Sequence, residues 1–280
     1  MFERDHHNRI QTLLSALDTE FLAKNKCFFG GGTAIVLALN EYRESVDIDF
    51  LCASQEGYRE LRNTIHDSSL GAIFSRPVEL ARDVRADRYG IRTFLRVDGV
   101  PVKFEIVSEG RIEIAGEMNT VTGVPTLTRA DMYAEKLLAN ADRYRDKAVA
   151  SRDIIDLAMM IGHWGAVPAE AWEKVRQAYG ASADRAFEGA IAMVSDRAYL
   201  GQCLAKMHMA PDLVEQIPAV LRGETSFAPA PRPAAGNPAA GVSAAARGVR
   251  AVYSRALATP AAPEATNASR EEPGGDCPTC

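Results

Sequence analysis

The sequence predicts an α+β protein: a mixed β-sheet with helices over residues 1–125, a helical region over 126–222, and a tail over 223–280 too poor in large apolar residues to fold. Three observations carry this. Residues 91–97 alternate in character and run through Asp98-Gly99 into residues 100–107, the pattern of two antiparallel strands joined by a tight turn. A short apolar run, Cys27-Phe28-Phe29, stops at Gly30-Gly31-Gly32 as a buried strand does. Beyond Thr128 the strand signals give way to helical spacing.

Taken in order, Leu13, Leu14, Leu17, Phe21 and Leu22 recur at helical intervals, so residues 5–24 are expected to form one amphipathic helix. The strand at Cys27 follows. After the glycines, Thr33 leads into Ala34-Ile35-Val36-Leu37-Ala38-Leu39, read as a helix, and Asp47-Ile48-Asp49-Phe50 as a strand. Tyr58, Leu61 and Ile65 mark another helix, with Gly71 at its exit. Helices are expected over 132–144, 154–161, 169–178, 183–193 and 199–207. In the tail, from about Gly223, Ala, Pro, Gly and Ser cannot bury enough surface to offset the ordering entropy. Residues 242–257, with Val249, Val252, Tyr253 and Leu257, are the one stretch there that could form a basic helix on a partner.

Composition narrows the function classes. A net charge of -5 argues against nucleic-acid binding by bulk electrostatics, while leaving room for a local basic patch. The first seven residues lack the basic start and apolar core of a secretory signal, and the apolar run at 34–39 is far short of the ~20 residues that span a bilayer. A cytoplasmic protein is expected. Five scattered cysteines fit a reducing compartment, with Cys27 and Cys52 as small buried hydrophobes and Cys277-Pro-Thr-Cys280 as a half zinc site without its second half. The histidines show no ligand spacing and are expected at surface or boundary positions.

Asp47 and Asp49 are two residues apart on a strand, so both carboxylates face the same side and can hold the same divalent cations, while Ile48 and Phe50 anchor the other side. The Gly31-Gly32-Thr33 turn opens a helix whose first N–H groups can seat a phosphate. Glu105 lies between apolar neighbours on the second hairpin strand, where its charge is costly unless it meets a metal or another partner. Three carboxylates near an anion seat point to nucleotidyl transfer, with Mg2+ as the ion that hard oxygen ligands select. Arg82, Arg85, Arg88, Arg92 and Arg96, interleaved with Val84, Tyr89 and Phe94, read either as a solvated face paired with Asp83 and Asp87 or as a track for an RNA backbone.

The Gly-Gly-Thr turn, the run Arg43-Glu44-Ser45-Val46-Asp47-Ile48-Asp49-Phe50, the helix with Lys136-Leu137-Leu138-Ala139 and Asp142-Arg143, and Arg152-Asp153-Ile154-Ile155-Asp156-Leu157 together resemble the AbiEii/AbiGii nucleotidyltransferase toxin family, in order, over residues 25–165. The resemblance implies a polymerase-β-like nucleotidyltransferase fold and transfer of a nucleoside monophosphate from an NTP to an acceptor, with tRNA 3′ ends as one target. It implies that such a protein is the toxin of a toxin–antitoxin or phage-defence pair with a cognate antitoxin. By the same resemblance Gly31, Gly32 and Thr33 meet the phosphates, Arg43, Ser45 and Arg152 help bind the triphosphate, and Lys136 neutralises the leaving pyrophosphate. Asp47, Asp49 and Glu105 are the expected metal ligands, and Asp156 is expected to organise Lys136 or Arg152. An aromatic residue is common in the family where Ile155 stands, and the tail is outside its pattern. The rival readings are a nucleotidyltransferase of small molecules such as aminoglycosides, a glycosyltransferase with an Asp-x-Asp pair, and an inactive nucleotide- or antitoxin-binding protein.

Overall fold

Alternation along its longest strands divides this sheet into an apolar face and a charged one, and the structure, a computed structural model, describes it through residues 1–66 and 69–227. The strands are β1 (Cys27–Gly30), β2 (Asp47–Cys52), β3 (Glu79–Leu80), β4 (Arg85–Ala86), β5 (Gly90–Val97), β6 (Val100–Ser108), β7 (Gly116–Met118) and β8 (Pro125–Leu127). They form one sheet in the order β3-β5-β6-β2-β1-β8-β7, with β4 also paired to β5. The β2–β6 and β1–β8 pairs are parallel and the rest antiparallel, so the sheet is mixed as expected. The hairpin β5–β6 closes at Val97↔Val100 around Asp98 and Gly99, both at positive φ, as a two-residue turn of this hand requires.

The helices are α1 (Asp5–Leu14), α2 (Thr19–Lys24), α3 (Gly31–Ala38), α4 (Gln55–Asn63), α5 (Arg129–Arg143), α6 (Arg152–Trp164), α7 (Ala169–Tyr179), α8 (Ser182–Val194), α9 (Arg197–Lys206) and α10 (Leu213–Leu221). Residues 5–24 are two helices rather than one. Asp18 adopts extended dihedrals and its carboxylate accepts from the Phe21 N–H, starting α2 afresh, a capping preference that outweighs the continuous apolar spacing. Strands β7 and β8 and helix α10 were not legible: β8 is three residues long, and α10 contains Pro218. Of the segment expected to lack structure, residues 223–227 end on Phe227, whose ring lies 5.0 Å from that of His163 and whose N–H reaches the Gly162 carbonyl. The expected helix at 242–257 and the Cys277/Cys280 pair lie outside the described residues.

Ile48 and Phe50 of β2 and Phe104 and Ile106 of β6 are fully buried on the apolar face. The rings of Phe29, Phe50, Phe104 and Phe74 form a chain with successive centroids 5.4, 6.1 and 5.4 Å apart. Cys27 and Cys52, buried as expected, face each other in the β1–β2 register. This packing locks the strands against a one-residue slip, which would turn the charged side chains into the core. Among the described residues no helix is long and apolar enough to cross a membrane.

Phe50 is one of the two inner rings of that chain, so Phe50→Ala is expected to lower stability by roughly 3 to 5 kcal/mol. Urea denaturation should show an earlier midpoint with an unchanged slope; a midpoint equal to that of wild type would contradict the packing described.

Candidate active site

Opposite the phenylalanines, the other side of the sheet carries charge. In the β2–β6 register Asp47 stands beside Lys103 and Asp49 beside Glu105; β5 continues these rows with Phe94 beside Lys103 and Arg92 beside Glu105, and β4 adds Arg85 beside Arg92. On the other flank Gly30 of β1 pairs with Asp49, which brings the next residue, the first of α3, over the carboxylate. Only glycine fits there. A Cβ on Gly31 would lie 2.5 Å from Asp49 Oδ2 on a backbone with φ +67°, and one on Gly32 would lie 2.4 Å from Arg43 Nη2.

These elements enclose a cavity of about 480 Å3. Asp47, Asp49, Glu105, Lys136, Gly31 and Gly32 line it, and so do Arg43, Ser45 and Arg152. Thr33 and Asp156 sit behind its wall. The Thr33 hydroxyl is fully buried; it donates to the Asp47 carbonyl and bonds the Ser45 hydroxyl at 2.8 Å, so it ties α3 to β2 rather than facing the cavity. Sequence spacing could not separate these two orientations of one hydroxyl.

The three carboxylates have different surroundings. Burial raises the Asp49 pKa to about 6, with Lys103 working against the rise and Asp47 and Glu105 adding to it. Burial also disfavours the charge of Glu105, but two ion pairs outweigh it and hold that carboxyl below its usual range: Lys103 Nζ at 2.6 Å from Oε2 and Arg92 Nε at 2.5 Å from Oε1. The partner that a charge at Glu105 demands is thus a pair of cations on its own sheet face. Among the described residues no three His, Cys, Asp or Glu side chains gather closely enough to hold a metal ion, and no cation pairs with Asp47 or Asp49. Two hard carboxylates left free beside the glycine turn fit Mg2+, which is bound through one or two carboxylates together with substrate phosphates.

A buried chain of charges supports the opposite wall. Asp156, fully buried on α6, accepts from Arg43 Nε at 2.7 Å and Nη2 at 2.8 Å, from the Tyr42 hydroxyl at 2.6 Å, and pairs with Lys136 Nζ at 2.7 Å. Lys136 also meets Asp153 Oδ1 at 3.0 Å, and Arg143 grips Asp153 at 2.7 and 2.9 Å. Asp156 therefore organises Lys136 and Arg43, and Arg152 is absent from these pairs. Burial alone would raise the Asp156 carboxyl, but Arg43 and Lys136 hold it well below the usual range. Arg143 belongs to the Asp142-Arg143 motif read in the sequence, whereas nothing in the sequence reading marks Lys103. The available signal was Lys103 two residues before Glu105 on one strand face.

The segment before β2 is fixed from below. His7, expected near the surface, is fully buried: its Nδ1 lies 2.7 Å from Glu41 Oε1, and its Nε2 accepts from the Ser45 N–H at 3.2 Å. Accepting at Nε2 requires the neutral ring, and burial accordingly lowers the pKa. The Glu41 carboxylate also takes the backbone N–H groups of Glu3 and Arg4, which joins the start of α1 to the segment carrying Arg43 and Ser45.

The sequence profile of a family described as "Nucleotidyl transferase AbiEii toxin, Type IV TA system" matches residues 12–234. No curated protein matches the chain in sequence. Among solved structures, the chain is similar to JHP933 from Helicobacter pylori, with 15% identity, a TM-score of 0.47, and coverage of 80% of this chain and 93% of that one. It is also similar to MenT4, a nucleotidyltransferase toxin from Mycobacterium tuberculosis H37Rv, with 17% identity, a TM-score of 0.30, and coverage of 80% and 96% respectively.

Asp156→Asn leaves the buried Arg43 and Lys136 short of a charge and is expected to lower stability at pH 7 by roughly 3 kcal/mol. An unfolded aspartate titrates near ~3.9. Because the folded pKa is depressed, the contribution of Asp156 is complete above that value and is lost as pH falls through the folded pKa. Below pH 4 the urea midpoint of wild type should therefore fall more steeply than that of the variant, and parallel acid profiles would remove Asp156 from this role.

Proposed function

The chain belongs to the AbiEii family of nucleotidyltransferase toxins of type IV toxin–antitoxin systems, and on that premise we propose that the cavity transfers a nucleoside monophosphate from an NTP to the 3′ hydroxyl of an RNA such as tRNA, with Mg2+ held at Asp47 and Asp49. The observation that carries this reading is the convergence of the two free carboxylates, the glycine turn and the Lys136 wall on one cavity. The acceptor oxygen attacks the α-phosphorus, the bond to the β-phosphate breaks, and pyrophosphate leaves. When bound, Mg2+ supplies charge to the phosphate oxygens.

The protein's own groups do the rest. Gly31 and Gly32 let the phosphates approach the first N–H groups of α3. Lys136, Arg43 and Arg143 carry three positive charges against the two of Asp153 and Asp156, which leaves one positive charge for the leaving pyrophosphate. Asp49, which pairs with no cation of the chain among the described residues, is a better acceptor for the hydroxyl proton than Glu105, whose two oxygens are both ion-paired.

The sheet beyond Glu105 favours a polymeric acceptor. Arg92 and Arg85 extend the catalytic row outward, the Arg82 guanidinium lies 4.6 Å over the Phe94 ring, and Arg88 lies 4.5 Å over Tyr89, whose ring is exposed. Arginines interleaved with aromatic faces suit a single strand, holding its phosphates and stacking its bases. Arg92 with Asp87 and Arg96 with Glu79 form partly exposed pairs, which ease the repulsion within the row. A cognate antitoxin is the partner that such a system implies, and phage defence is the setting we propose for it.

Incubation with Mg2+, each α-labelled NTP, total RNA and an aminoglycoside should place label on RNA, and Asp49→Asn should abolish it while remaining folded. Label on the aminoglycoside alone would favour the small-molecule reading; no label on either would sink the proposal. The triple replacement of Arg82, Arg85 and Arg88 by Ala should weaken RNA binding and flatten its salt dependence by about 2 in log–log slope, at ~0.7 per phosphate contact. An unchanged slope would leave those arginines as a solvated face.

A further inference from the structure

Lys103 is the cation that the sequence pattern did not anticipate. It stands opposite Asp47 in the β2–β6 register, shares a strand face with Glu105 two residues on, and lines the cavity with Asp47, Asp49 and Glu105. Its ammonium lies 2.6 Å from Glu105 Oε2, and the field of Asp49 and Asp47 acts on it too. With Arg92 on Oε1, both oxygens of Glu105 are committed to cations of the chain itself. A carboxylate so engaged has little left for a metal ion.

We propose that Lys103 stands in for one of two metal ions: Asp47 and Asp49 take a single divalent cation, and the Lys103 ammonium, held by Glu105, supplies the second positive charge beside the attacking hydroxyl. Charge balance favours this division. Three carboxylates against Lys103 and Arg92 leave this group of five side chains with one net negative charge, which one divalent ion already reverses before any phosphate arrives. A second divalent ion would have to displace an ammonium at hydrogen-bond distance from its carboxylate, and would then meet Arg92 as well. The 2.6 Å pair with Glu105 Oε2 holds the ammonium in this place. In this division Glu105 is a positioning residue for Lys103, not a metal ligand.

The role in catalysis rests on the nucleotidyl-transfer reading, but the binding of the ion does not. Full-length protein without nucleotide is titrated with Mn2+, and free Mn2+ is read by electron paramagnetic resonance. Asp49→Asn should abolish binding. Glu105→Gln should keep the dissociation constant within about threefold of wild type, whereas Lys103→Met, by removing a repelling charge, should tighten it tenfold or more. Loss of binding in Glu105→Gln as severe as in Asp49→Asn, or an unchanged constant in Lys103→Met, would overturn the proposal. In the transfer assay Lys103→Met should lose 100-fold or more in kcat despite its tighter ion binding, with Lys103→Arg recovering part of the loss. A Lys103→Met protein as active as wild type overturns the catalytic half alone, and a wild type without transfer activity overturns the function while leaving the ion measurements to stand.

Discussion

The pairing of β2 is the constraint on which everything else rests. One side of the strand is fixed by Phe50 in a chain of aromatic rings, so the other side has no freedom about where Asp47 and Asp49 point. Its neighbours are set by register: β1 delivers the glycine turn to Asp49, and β6 delivers Lys103 and Glu105 to the same face. Because strand side chains alternate, the aromatic core and the charged face are a single decision.

The second wall is built from charge rather than from apolar packing. Arg43 comes from the segment before β2, Lys136 and Arg143 from α5, and Asp153 and Asp156 from α6, and their ion pairs hold three separate pieces of chain in one arrangement. Burying such groups is costly unless each is paired, and here the pairing is nearly complete. This explains why Asp156 lies behind the cavity, and why Arg43, with its fork spent on Asp156, shapes that end of the cavity through Gly32.

Much of this was legible in the sequence. The hairpin at Asp98-Gly99, the strand carrying Asp47 and Asp49, the glycine turn and the helical series all follow from local periodicity and turn chemistry, which act over a few residues. What the sequence withheld depends on tertiary neighbours. Strand β8 has three residues and exists because β1 and β7 pair with it; His7 is buried because Glu41 and Ser45, far along the chain, satisfy both its nitrogens. The split between α1 and α2 is a different failure, in which the Asp18 cap outweighed an uninterrupted apolar pattern. Lys103 was passed over because a lysine on a strand is ordinarily a solvated residue, and only the β2–β6 register shows which acids it meets.

The surplus of one positive charge in the buried network has a thermodynamic side. On the proposed reading, a polyphosphate bound at this wall would meet that surplus charge, and by mass action the folded chain and its ligand would stabilise each other. On that reading, the protein's resistance to heat would serve as a gauge of how much triphosphate surrounds it.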